Sequence, residues 1–229
     1  MSPSSQTPRP SSGRSAEQGG SVPKLFHLKC SPRREAASSA GADAFVARFQ
    51  EVRPNWDVDV MDVWRERLPE FEGPALEAKY AITNGRAFNS AERDAFAVIE
   101  RMALRFSLAD RVLISTPMWN FSIPYKLKHW IDLVSQPGLT FRFDPATGYI
   151  PLLKDRPTLV ILACGSDFVT GMNRGRIDMA SPYLREALRF VGIRDTRFVL
   201  IGPTTGPQEP ILVARERAHQ RLAEMAAAF

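Results

Sequence analysis

From residue 23 onward, short apolar runs alternate with longer stretches whose apolar residues recur on one helical face. KLFHLK (24–29) predicts a first strand. In AASSAGADAFVARFQEVR (36–53), Ala42, Phe45, Val46 and Phe49 share a face at helical spacing. DVDVMDVW (57–64) alternates through Val58 and Val60, as a strand does. Residues 65–88 carry no dominant period and read as a long excursion. Asn89 followed by Glu92 marks a helix start, because the amide caps the first turn while the acid reaches back. Phe96, Ile99, Met102, Ala103 and Phe106 keep one face of that helix to about Leu108.

The second half repeats the alternation. DRVLIST (110–116) predicts a strand, and IPYKLKHWIDLVSQ (123–136) a helix with Pro124 in its first turn, where a missing N–H is harmless. PTLVILACG (157–165) is a nearly unbroken apolar run, the mark of a strand covered on both faces. SPYLREALRFVG (181–192) is a helix stopped by Gly192, TRFVLIG (196–202) a last strand, and Pro210 to Phe229 a closing helix. Strands alternating with helices imply a parallel sheet between helical layers. Right-handed crossovers leave few windings for five such strands. The expected fold is α/β, a three-layer flavodoxin-like arrangement with strand order 2-1-3-4-5.

Composition narrows the class. With 44% hydrophobic and 24% charged residues the chain can bury a sizeable core. Residues 1–22 are mostly Ser, Pro and Gly with almost nothing apolar, and read as a disordered tail ahead of one domain over 23–229. The tail lacks the apolar centre of a secretory signal peptide, and no stretch approaches the roughly 20 apolar residues of a membrane span. The net charge of +5 is spread among interleaved acids and bases, so no basic face points to nucleic acid. The two cysteines, Cys30 and Cys164, suit a reducing compartment, and a cytoplasmic location is expected.

In such sheets ligands bind beyond the carboxyl ends of the strands, near the point where strand order reverses. Three loops are thereby singled out. The first, CSPRREAASSA (30–40), brings Ser31, Ser38 and Ser39 to a helix N-terminus, a setting suited to one terminal phosphate. The same serines also suit plain helix capping. Neither GxGxxG nor GxxxxGK[ST] is present, which argues against a dinucleotide or ATP cradle. The second, PMWNF (117–121), offers a flat aromatic, a thioether and an amide, the parts needed to hold a planar heteroaromatic ring. Met118 and Trp119 could equally be core, with Asn120 and Ser122 as caps. The third is ACGSDFVTG (163–171). His27, His129 and His219 lie far apart with no metal-ligand spacing, and no serine sits in a G-x-S-x-G elbow, so the chemistry must be carried by a cofactor.

PMWNFSIPYKLKHWID (117–132) followed by GLTFRF (138–143) resembles the FMN-dependent NAD(P)H azoreductase and quinone reductase family, from about Lys24 to the C-terminus. The resemblance implies a flavodoxin-like fold, FMN as cofactor, NADH or NADPH as electron donor and an aromatic acceptor reduced by two-electron ping-pong transfer. It also implies a homodimer whose partner helps to complete each site. Pro117, Met118, Trp119, Asn120 and Phe121 would line the isoalloxazine ring, Ser31, Ser38 and Ser39 hold the ribityl phosphate, and Phe141 and Phe143 cap the site with Trp119. The chemistry would be borne by the flavin, with Asn120 and Trp119 in support.

Two departures from the family pattern stand out. Relatives often carry S-R-G-G after the fourth strand, whereas this chain reads Ala163-Cys164-Gly165-Ser166, and its first loop carries the charged segment PRREAA. The changed loop keeps open a second reading, a non-catalytic flavin- or nucleotide-binding redox-responsive module. Strands about 4.8 Å apart put Cys30 and Cys164 roughly 10 Å from each other, beyond the reach of a disulfide.

Overall fold

Among the described residues, seven strands and six helices follow the apolar pattern. In the computed structural model, residues 22–229 apart from Arg174 are described. The tail expected over 1–22 therefore lies outside the described residues except at Val22. The order is β1 (Lys24–Lys29), α1 (Ala37–Val52), β2 (Asp57–Asp62), α2 (Gly73–Thr83), α3 (Ser90–Ser107), β3 (Arg111–Pro117), α4 (Tyr125–Val134), β4 (Phe141–Asp144), β5 (Gly148–Pro151), β6 (Thr158–Ala163), α5 (Ala180–Val191), β7 (Thr196–Ile201) and α6 (Gln208–Ala228). The main sheet runs β2-β1-β3-β6-β7, all parallel, while β4 and β5 form a separate antiparallel hairpin. The expected 2-1-3-4-5 order holds, with β6 and β7 as its fourth and fifth strands.

Strand side chains alternate between two cores, as period two requires. Phe26, Leu28, Val112, Ile114 and Val160 face α3, α4 and α5, where Phe106, Trp130 and Leu184 meet them. Trp130 packs against Phe26 and Phe106 with ring centres 6.1 and 5.1 Å away. Leu25, Leu113, Leu159 and Ile161 face α1 and α6, against Phe45, Phe49, Leu222 and Phe229. Each fully buried Leu or Phe contributes about 1.5–3 kcal/mol relative to exposure. β6 is buried at all six positions, as its unbroken apolar run requires.

The start of α3 carries the full capping box: Glu92 N donates to Asn89 Oδ1 and Asn89 N to Glu92 Oε2, both at 2.9 Å. Three local features differ from the sequence reading. The excursion contains α2, whose buried stripe is Ala75, Ala78 and Ala81; alanines carry too little apolar contrast to show as a period. Pro124 stands at the N-cap of α4 rather than inside its first turn. On β2 the buried residue is Met61, with Val63 buried just beyond the strand, while Val60 is 46% exposed. β2 is an edge strand, so one of its faces is only partly covered. Arg105 of α3 holds that edge, donating to both carboxylate oxygens of Asp59, to Glu66 and to the Val60 carbonyl.

Candidate active site

Parallel register brings the three expected loops to one edge of the sheet. Lys29 pairs with Ser115 and Pro117 with Ala163, so β1, β3 and β6 end side by side. The chain continues the ladder for one more residue at each end: Cys30 N donates to Ser115 O at 2.8 Å, Met118 N to Ala163 O at 2.7 Å, and Cys164 N to Ile201 O at 2.8 Å. Ser31, Ser38 and Ser39, the 117–121 segment and the 163–166 segment therefore surround a common mouth.

The first loop delivers an open helix terminus. α1 has Ala36 at its N-cap, with no side-chain cap and no acidic residue in its first turn. Its first N–H groups thus lack the usual side-chain acceptor. Ser38 is fully buried and its Oγ has no partner, and Ser39 is buried beside it. Ser31 Oγ accepts only a long contact from Arg33 N, at 3.4 Å. An unsatisfied buried hydroxyl costs about 1–3 kcal/mol, and an oxyanion at this terminus would accept from Ser38 and the free N–H groups together.

The second loop is a tight turn. Trp119 N donates to Ser122 O at 2.9 Å and Ser122 N to Trp119 O at 3.0 Å. The two residues between, Asn120 and Phe121, have φ of +47° and +69°. Two successive left-handed residues make a type I′ turn, which Asn tolerates and Phe does not favour. Strain of this kind concentrates at functional sites. Neighbours hold it in place: Phe121 O accepts from Met179 N at 2.9 Å, just ahead of α5.

Two aromatic residues that sequence reasoning missed stand beside it. Trp64 lies with its ring centre 5.6 Å from that of Trp119 and 5.2 Å from that of Tyr125. Its Nε1–H donates to Cys30 O at 3.0 Å, which fixes the indole over the end of β1. The available signal was position: Trp64 follows the end of β2, which pairs with β1, whose own end faces the mouth.

The third loop is braced from behind. Cys164 O accepts from Thr204 N and Thr204 Oγ1, and Gly165 O from Thr205 Oγ1. Gly202 is required there, since a Cβ at that position would lie 2.7 Å from Ser166 O. Ser166 Oγ accepts from Arg176 Nη1 at 3.1 Å. An arginine thus reaches this turn from ten residues further on, in a chain whose Ala163-Cys164-Gly165-Ser166 segment has none. Both cysteines are free and buried. Burial pushes the Cys164 thiol up to about 12, with Asp178 adding to the effect, and holds the Cys30 thiol well above its ordinary range. Neither is a nucleophile near neutral pH. Among the described residues no group of acids, cysteines and histidines has metal-binding geometry.

Phe141 and Phe143 are not at this mouth in the same chain. Phe141 packs on Phe190, 4.8 Å between ring centres. Phe190 sits ten residues along α5 from Ala180, about 15 Å at helical rise, whereas Phe121 is tied to the opposite end of that helix. Phe143 and Tyr149 stand 59% and 63% exposed on the hairpin.

A family model described as flavodoxin-like fold matches residues 23–225. The chain is 70% identical over 206 residues to FMN-dependent NADH:quinone oxidoreductase 1 of Bradyrhizobium diazoefficiens, covering 90% of this chain and 99% of the relative. This chain belongs to the FMN-dependent NADH:quinone oxidoreductase family. Within that family, oxidoreductase 3 of Pseudomonas fluorescens is 38% identical over 212 residues, covering 90% of this chain and 98% of its own length. A solved azoreductase from Bacillus anthracis str. Sterne superposes with a TM-score of 0.81 at 25% identity, over 90% of this chain and all of that one. Among the described residues no helix is long and apolar enough to cross a membrane.

Proposed function

We infer that this protein is an FMN-dependent NADH:quinone oxidoreductase that reduces quinones and related aromatic acceptors, azo compounds included. The observation that carries the reading is the mouth itself, where a buried, unpartnered Ser38 hydroxyl at an uncapped helix terminus faces the same sheet edge as a strained aromatic turn. Those residues fit FMN. Ser38, Ser39, Ser31 and the first N–H groups of α1 would hold its phosphate. Pro117, Met118, Trp119, Asn120 and Phe121 would line the ring on one side, and Ala163, Cys164, Gly165 and Ser166 on another. Bound FMN supplies hydride acceptance from NADH and delivery of two electrons to the acceptor.

The chain's own groups orient and exclude. The type I′ turn leaves Asn120 exposed at the mouth, where its amide and the turn backbone would hold the polar edge of a bound FMN ring and favour negative charge there. Trp64, Trp119 and Tyr125 form an apolar wall that keeps water from the slot. The free buried thiols suit the reducing cytoplasm.

The hairpin supports a homodimer. Phe143 and Tyr149 are exposed and remote from their own Trp119, so they would serve the mouth of a second copy.

The test is a visible spectrum of the purified protein, reconstituted with FMN and titrated anaerobically with NADH and then a quinone. Bleaching by NADH and recovery with quinone are expected; bound flavin that NADH does not bleach would leave a binding module. Ser38→Ala should weaken FMN by about tenfold, roughly 1.4 kcal/mol, because one donor to the phosphate is lost. Fluorescence titration of the apoprotein reads that loss, and an unchanged affinity would remove Ser38 from the site.

A further inference from the structure

A second cavity opens on the α1/α6 side of the mouth. It has a volume of about 440 Å³ and is lined by Arg33, Arg34, Arg215 and His219 over a floor that includes Ala37, Ala40 and Ile201. Its existence follows from the sequence of α1, whose first turns are built from Ala and Ser. Small side chains at Ala37 and Ala40 leave the groove towards α6 unfilled, while Phe45 and Phe49 further along close it against Leu222.

The charge on the wall is uncommitted. Among the described residues the side chains of Arg33, Arg34, Arg215 and His219 make no hydrogen bond or ion pair, although eleven ion pairs occupy other charged residues of the chain. Two acids share the rim, Glu35 and Asp43. Asp43 is turned to Lys29, 3.6 Å away. Three exposed arginines lining a hollow with an apolar floor match a phosphate ester with a flat body, because guanidinium forks pair with phosphate oxygens in two-point contacts. The volume lies within the range of small-molecule sites.

We propose that this cavity, which adjoins the α1 terminus through Arg33, Arg34 and Ala37 and extends from it towards α6, is a second phosphate-ester site that takes an adenylate-type nucleotide. The ester has two possible sources, a free nucleotide or the adenylate half of a flavin dinucleotide reaching round Arg33 and Arg34. Side-chain cations here take the place of the glycine cradle that the chain lacks.

Calorimetric titration of AMP into protein saturated with FMN is the experiment, since FMN blocks the α1 terminus. Saturable binding is expected, weakened about tenfold or more by Arg215→Ala combined with His219→Ala. Ala40→Leu, which fills the groove and leaves the charge in place, should weaken it comparably. FAD and FMN titrated into apoprotein identify the source: a loss for FAD but not FMN in the double variant assigns the cavity to a cofactor tail. Absence of binding by both AMP and FAD, or binding indifferent to all these variants, overturns the proposal. FMN uptake is read from absorbance in the same samples. Failure of the mouth to hold flavin is therefore distinguished from failure of this cavity.

Discussion

His27 shows how one buried side chain ties stability to pH. It lies inside β1, 2% exposed, and shares a 3.0 Å hydrogen bond with Ser115 Oγ. Burial, with Lys29 adding to it, lowers its pKa to about 3, against about 6.5 in an unfolded chain. Below about pH 6.5 the unfolded chain takes up a proton that the folded one refuses, so stability falls as pH falls through the window down to about 3. The loss between about pH 7 and pH 5 should be about 2 kcal/mol. Urea unfolding midpoints across that range check it, and His27→Asn should flatten the slope. Ordinary carboxylates titrate lower, and comparison with His27→Asn isolates this histidine's share of the slope. That this histidine belongs to the core was legible from its place inside an apolar strand. The strained turn was not: nothing in WNFS announces two left-handed residues, because Phe at such a position is imposed by its surroundings.

At the scale of elements, legibility followed contrast. α3 was read from its cap and its large apolar face, and both are present. The cap carries measurable weight: Asn89→Ala should cost about 1 kcal/mol, seen as a lower thermal midpoint with little change in flavin affinity. Arg86 strengthens the same corner by pairing with both Glu92 oxygens, which with the Asn89 N–H holds the Glu92 carboxyl below its usual range. α2 escaped notice because alanine is apolar, small and unremarkable in a chain with many of them. Its Glu72–Gly73–Pro74 start, with Pro early in the helix, is a punctuation mark that gains meaning only beside the Ala75, Ala78, Ala81 stripe. Trp64 escaped for another reason: its partners Trp119 and Tyr125 are more than fifty residues away, and contact at that separation follows from sheet order alone.

For the whole molecule, the hairpin decides how many chains make one working site. Phe143 was expected at the mouth with Trp119, yet within one chain the two are held at opposite ends of α5. If a second copy closes the gap, two defective chains can repair each other. Asn120→Ala disables the mouth and Phe143→Ala the hairpin. Mixed heterodimers carrying one of each then keep one mouth and one hairpin intact in a matching pair. Activity recovered on mixing, towards about a quarter of wild type after random exchange of subunits, is the expected outcome. Recovery that fails although sedimentation shows mixed dimers would place the hairpin outside the site.

The grip of Arg105 on β2 bears on how the protein behaves in a crowd of its own copies. A strand at the rim of a sheet offers unpaired backbone groups to any other strand. Here Asp57, Asp59 and Asp62 punctuate that strand, and the guanidinium occupies the Val60 carbonyl that a foreign N–H would seek. Arg105→Ala frees this carbonyl, leaves Asp59 and Glu66 without their partner and exposes more of Val60. Its first symptom should be precipitation on gentle warming, seen by light scattering well below the unfolding midpoint, while freshly prepared enzyme still turns over.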